Sequence, residues 1–205
     1  MNNLRILPML FRKLLLTTAR KKYDILTLQI MYLISVYFDN KTSKTLQKYI
    51  DSIAATTSNK FMTANNVPPH LTICAVEAKS SEHLLPAFEK FTGQITSGKV
   101  PIVALGQFFP YVIYASPVLN NYLQDLSKKI LDCVDELSDV AVSKFYTSGN
   151  WFPHITLGKT LTKEQLRIAF DTMQDLFQSL DAKVTEISLT QTNPQQEILR
   201  MKLKS

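Results

Sequence analysis

Pro69-His70-Leu71-Thr72-Ile73 returns 84 residues later as Pro153-His154-Ile155-Thr156-Leu157. Each copy reads proline, histidine, aliphatic, threonine, aliphatic, and at average residue frequencies one match in a chain of this length has odds of roughly one in a thousand. Two matches therefore signal a repeated unit. Side chains alternate along a β-strand, so the first copy is expected to put His70, Thr72 and Cys74 on one face and Leu71, Ile73 and Ala75 on the other. The second copy sorts the same way, with His154, Thr156 and Gly158 opposed to Ile155 and Leu157. Each strand thus offers an imidazole and a hydroxyl together, while its aliphatic face is free to enter a core.

The segments around the motifs repeat as well. Met31 to Phe38 is a β-branched and aromatic run of strand length, closed by Asp39-Asn40, and Leu46, Tyr49, Ile50, Ile53 and Ala54 predict an amphipathic helix over 41–57. A polar loop through Asn65-Asn66 leads into the first histidine strand, about 69–77. Leu84, Leu85, Phe88 and Phe91 predict the next helix, with Ser80 or Ser81 as its cap. Residues 100–109 and 111–118 read as strands hinged at Pro110. The apolar rhythm from Leu119 to Leu137 predicts a helix over 120–137, capped by Asn120 or Asn121. Residues 143–150 read as a loop and 152–159 as the second histidine strand. Thr162 and Gln165 make a capping-box pattern for a helix with Leu166, Ala169, Phe170, Met173, Leu176, Phe177 and Leu180 on one side. Strands at 184–191 and 198–204, joined at Asn193-Pro194, end the chain. Residues 31–109 and 111–191 thus both run strand, helix, histidine strand, helix, strand. His70 follows Met31 by 39 residues and His154 follows Val112 by 42. We read this as a duplicated βαβαβ unit, with half-repeats at about 31–109 and 111–205. Packed about a pseudo-twofold axis, the halves would bring both polar faces to one central groove.

The chain has 205 residues, enough for one sizeable domain, and its 45% hydrophobic and 20% charged content is that of a globular protein. The net charge of +6 is concentrated at the start, where Arg5, Arg12, Lys13, Arg20, Lys21 and Lys22 face Asp24 alone. Residues 1–30 read as a basic leader outside the domain of residues 31–205. Arg12 and Lys13 interrupt the apolar stretches there, so no run is long enough for a transmembrane segment, although a basic amphipathic helix could touch anionic lipid. The other 175 residues carry 17 basic and 16 acidic side chains, which gives no bulk attraction to duplex nucleic acid. Only Cys74 and Cys133 are present, a content that suits reduced thiols and a cytoplasmic location.

Two opposed imidazoles suit a displacement that removes one proton and supplies another, because histidine titrates near neutrality. Threonine hydroxyls two residues on can donate to an anion between them, and a phosphodiester fits that description. A metal site fits poorly, since neither histidine lies at ligand spacing and no carboxylate accompanies either motif. With His70-Leu71-Thr72 and His154-Ile155-Thr156, the sequence from about Met31 to Lys204 resembles the 2H phosphoesterase superfamily, most of all the bacterial 2'-5' RNA ligase and RNA 2',3'-cyclic phosphodiesterase branch. The resemblance implies a bilobal α+β fold with mostly antiparallel sheets. It also implies phosphodiester hydrolysis without metal or cofactor, on RNA ends or small nucleotides, by a monomer. One of His70 and His154 would be the general base and the other the general acid, with Thr72 and Thr156 holding the phosphate and Lys159 the nearest counterpart of a basic residue after the second motif. For base stacking, the aromatics near the motifs are Phe108, Phe109, Tyr114, Phe145, Tyr146 and Trp151, with Tyr146 and Trp151 favoured because they flank the second motif. A non-catalytic nucleotide-binding module, 2'-5' ligation and a leader-mediated membrane role remain open alternatives.

Overall fold

The computed structural model describes residues 29–205. The expected basic leader therefore lies, but for its last two residues, outside the described part. The elements run β1 (Ile30–Phe38), α1 (Asn40–Thr57), α2 (Phe61–Ala64), β2 (Leu71–Ala78), α3 (Leu85–Thr92), β3 (Gly98–Phe108), β4 (Val112–Pro117), α4 (Asn121–Val134), β5 (Ala141–Val142), β6 (Ile155–Gly158), α5 (Lys163–Leu176), β7 (Leu180–Gln191) and β8 (Gln196–Lys202). This is an α+β fold.

Local chemistry sets most of the boundaries. Asp39 caps α1 by accepting from the Thr42 N–H at 3.0 Å and the Thr42 hydroxyl at 2.8 Å, and it also accepts from Lys183 N on β7 at 3.0 Å. The Asn120 carboxamide caps α4 through Leu123 N, and Thr162 and Gln165 form the reciprocal capping box of α5. The expected Ser80 or Ser81 cap is not realised. A helix started there would hold Pro86 in its interior, where the ring clashes and the N–H is missing. The chain instead makes a 3-10 turn over Ser81–His83 and restarts at Leu85 with Pro86 in the first turn. Leu180, expected on the last helix, opens β7, whose first residues pair with Gly98–Ile102 of β3.

The pairing order β5-β2-β1-β7-β3-β4-β6, with β8 also on β7, is antiparallel between all neighbouring strands. β7 is long enough to carry β1 along one edge while β3 and β8 divide the other. The last strand of each βαβαβ series pairs with the first strand of the other series: β3 with β4, and β7 with β1. The helices mix likewise. α1 packs on α5, and α3 on α4. Gln165 Nε2 donates to Thr57 O at 3.0 Å and the Thr172 hydroxyl to that of Thr56 at 2.9 Å, fastening α5 to the end of α1. The core between helices and sheet includes Ile34, Val36, Leu46, Ile50, Leu71, Phe88, Ile102, Ile113, Leu157 and Ile187, all at most 1% exposed.

Both histidine motifs are followed by a β-bulge at the same place. On β2, Thr72 pairs with Ser35 and Cys74 with Ile34, so Ile73 is the extra residue. On β6, Thr156 pairs with Tyr114 and Gly158 with Ile113, so Leu157 is the extra one. A bulge reverses the alternation beyond it. Cys74 and Gly158, expected on the threonine face, therefore turn into the core beside Ile34 and Ile113.

Candidate active site

His70 and His154 each sit one residue before their strand, held in the same way. His70 Nδ1 lies 2.8 Å from Pro68 O, and His154 Nδ1 lies 2.9 Å from Phe152 O. A carbonyl only accepts, so each Nδ1 carries the proton and each neutral ring keeps its lone pair on Nε2. The buried prolines between, Pro69 and Pro153, fix the backbone over which this contact closes. Both rings are half-buried. Burial lowers the pKa of His70 below its ordinary 6.5; the bond to Pro68 opposes this, and the charges of His154, Arg200 and Lys159 add to the lowering. Burial also lowers His154, opposed by the bond to Phe152.

A cavity of about 450 Å³ receives His70, Thr72, Thr156 and Lys159 together. His154 does not line it; two residues before Thr156, its ring lies 4.7 Å from Phe108 and 5.7 Å from Tyr114, centroid to centroid. Strict alternation would turn Lys159 away from Thr156. The bulge at Leu157 brings it back, and its ammonium also lies 5.7 Å from the centre of the Phe61 ring. The rest of the cavity is hydroxyl-rich, with Ser35 and Tyr37 from β1, Thr190 from β7 and Thr192 just beyond it. Asn65, Asn193 and Gln195 contribute carboxamides, and Phe61, Met62 and Val67 apolar surface. Among the described residues no carboxylate lines this cavity, and no three His, Cys, Asp or Glu side chains are grouped to hold a metal ion.

Thr72 is the best anchored of these groups. Its hydroxyl lies 3.2 Å from the Ser35 hydroxyl, and its carbonyl accepts from Trp151 Nε1 at 3.1 Å. Trp151 is thus turned to Thr72, and neither it nor Tyr146 lines the cavity. Trp151 also packs against the core, and burial raises the Tyr146 pKa.

Arg200 is missing from the sequence-based site. Alternation along β8 marks it as merely exposed, but cross-strand pairing makes a polar row from Thr72 through Ser35 and Ser188 to Arg200. Its guanidinium stacks 3.7 Å above the Tyr37 ring and is ion-paired with Glu186 and Glu197. No local signal predicts that row, because it spans four strands.

Residues 42–196 match the sequence model of the 2'-5' RNA ligase superfamily. Several solved structures share the fold. Escherichia coli LigT complexed with 3'-AMP superposes with a TM-score of 0.57 at 14% identity, covering 86% of this chain and 99% of that one. A crystal structure described as a phosphoesterase gives 0.55 at 14% identity, and TT0787 of Thermus thermophilus gives 0.55 at 13%, with the same coverage. No curated protein sequence matches. Among the described residues no helix is long and apolar enough to cross a membrane.

Proposed function

Since the chain belongs to the 2'-5' RNA ligase superfamily, we propose that it is a metal-independent phosphodiesterase opening 2',3'-cyclic phosphates, or 2'-5' linkages, at RNA ends or in nucleotides. The observation that carries this reading is the matched anchoring of two histidines at Nδ1, each two residues before a threonine that lines one cavity, which also holds His70 and a lysine but no carboxylate.

In this mechanism one neutral imidazole takes a proton from water on its free Nε2 as the water oxygen attacks phosphorus. The P–O bond opposite breaks, and the leaving oxygen takes a proton from Nε2 of the other, protonated imidazole. The two rings exchange protonation states, and solvent restores them before the next turnover. Thr72 and Thr156 donate to the non-bridging oxygens, where charge builds up, and Lys159 offsets the negative charge. Ser35 can donate to Thr72, which leaves the Thr72 proton free for the phosphate.

Hydrolysis of 2',3'-cyclic nucleotides in the presence of chelator tests the reading. The intact protein is expected to turn them over, and His70→Ala and His154→Ala each to lose about 10²- to 10⁴-fold. Undiminished hydrolysis in the double variant would sink it. Tight binding with no product after long incubation would instead favour a nucleotide-binding role for the same cavity.

A further inference from the structure

Arg200 is held more closely than an exposed strand position requires. Its Nε and Nη2 donate to Glu197 at 2.8 and 2.5 Å, and its Nη1 donates to Glu186 at 3.3 Å. The Arg200 side chain is 33% exposed and that of Glu186 28%, which makes this the most enclosed ion pair among the described residues. With carboxylates along its edge, the guanidinium has its flat face left for contact, and that face lies 3.7 Å from the centre of the Tyr37 ring. A lysine could not make this arrangement, because it has neither the fork nor the plane.

Tyr37 carries the contact to the site. Its ring is buried, lines the cavity and lies 6.2 Å from the His70 ring, centroid to centroid, inclined by 45°. The Ser188 hydroxyl donates to the Tyr37 hydroxyl at 3.4 Å, which fixes the far end of the ring. Arg200 itself lines no part of the cavity, so any effect it has there beyond that of its charge runs through Tyr37. We propose that Arg200 is a positioning residue for His70, clamping Tyr37 as the wall against which the imidazole rests. The inference rests on the proposed phosphodiesterase reading and adds a control on one of its two histidines. Burial is the main reason that His70 resists protonation, and the Tyr37 ring supplies part of that burial. The charged and titratable groups facing His70 are His154, Lys159 and Arg200, all of which oppose its protonation, with Tyr37 in ring contact and no carboxylate along the cavity. Loss of the clamp therefore admits water and takes His70 towards its ordinary 6.5.

The test is an NMR titration of the His70 Cε1–H, assigned with His70→Gln, in the intact protein and in Arg200→Gln, Tyr37→Leu and the double variant. His70 is expected to titrate below 6.5 in the intact protein and nearer to it in each single variant. Adding Arg200→Gln to Tyr37→Leu should bring no further change, because two residues acting along one path are not additive. Arg200→Lys keeps the charge but loses the plane, and should behave as Arg200→Gln does. Tyr37→Phe keeps the ring and should leave the titration of His70 where it is. An unmoved His70 in Arg200→Gln overturns the inference. So does a shift that persists in the Tyr37→Leu background or that Arg200→Lys reverses, since either assigns the effect to charge acting across space. If Tyr37→Leu does not fold, the comparison of Arg200→Lys with Arg200→Gln decides. In turnover of a 2',3'-cyclic nucleotide, Arg200→Gln is expected to lower kcat by about tenfold with KM nearly unchanged. An unchanged kcat, or a loss confined to KM, also overturns the inference. If the intact protein turns over no such substrate, the phosphodiesterase reading fails, and the titration alone then judges whether Arg200 positions His70.

Discussion

His70 and His154 are set for proton transfer by one contact each, the Nδ1–H bond to a carbonyl two residues back. Both pKa values lie below the ordinary 6.5, so a bell-shaped profile of kcat/KM against pH is expected on the acid side of neutrality. Its two limbs belong to the coupled pair and not to either ring. A plateau extending from pH 7 to 9 would contradict this. The same shifts affect stability. Below pH 6.5 the unfolded chain takes up protons that the folded histidines still refuse, so these two groups lower stability as the pH falls through their folded pKa values. Replacing both with Gln is expected to flatten the decline of Tm between pH 7 and 5. At Thr72, Ser35→Ala removes the buried hydroxyl partner. A net hydrogen bond of about 1 kcal/mol predicts a loss of roughly threefold to tenfold in kcat/KM, measurable by steady-state kinetics.

Among the elements, β4 and the end of β3 position the second motif as β1 positions the first. Tyr114 pairs with Thr156 on one side and with Gly106 on the other. Its ring lies over Gly106, where an added Cβ would come within 2.5 Å of the ring and hydroxyl. Gly106→Ala is therefore expected to displace Tyr114 from beside His154, lowering kcat/KM, and to destabilise the protein by about 1–3 kcal/mol. Parallel kinetics and thermal unfolding check both effects. Thr162→Ala breaks the α5 capping box. It is expected to cost about 1 kcal/mol in urea unfolding, with little effect on turnover, since α5 lines no part of the cavity.

For the whole molecule, exchange of the third strands means that neither βαβαβ series completes its own sheet. β1 gets β7 from the second series, and β4 gets β3 from the first. Unfolding is expected to be a single cooperative transition. Trp151, the lone tryptophan, reports on both motifs at once because it precedes the second and donates to Thr72 of the first. Its fluorescence and the far-UV circular dichroism should give the same urea midpoint. Separate transitions would show that the lobes fold independently.

The amino-acid sequence by itself determined the two His-x-Thr motifs, the α+β alternation, the capping of α4 and α5, and the repeated order of elements. These depend on contacts within a few residues, where periodicity and cap chemistry are decisive. Only the tertiary structure decided which strands pair across the duplication and that Ile73 and Leu157 bulge. It likewise decided that Lys159 therefore shares a cavity with Thr156 while Cys74 and Gly158 turn inward. It also brought Arg200 into a row with Thr72, turned Trp151 towards that threonine, and set Phe108 and Tyr114 edge to face with His154. The physical reason is that a strand's alternation fixes which residues share a face, whereas its neighbours and the point where that alternation breaks are set by hydrogen bonds to segments far away in the chain.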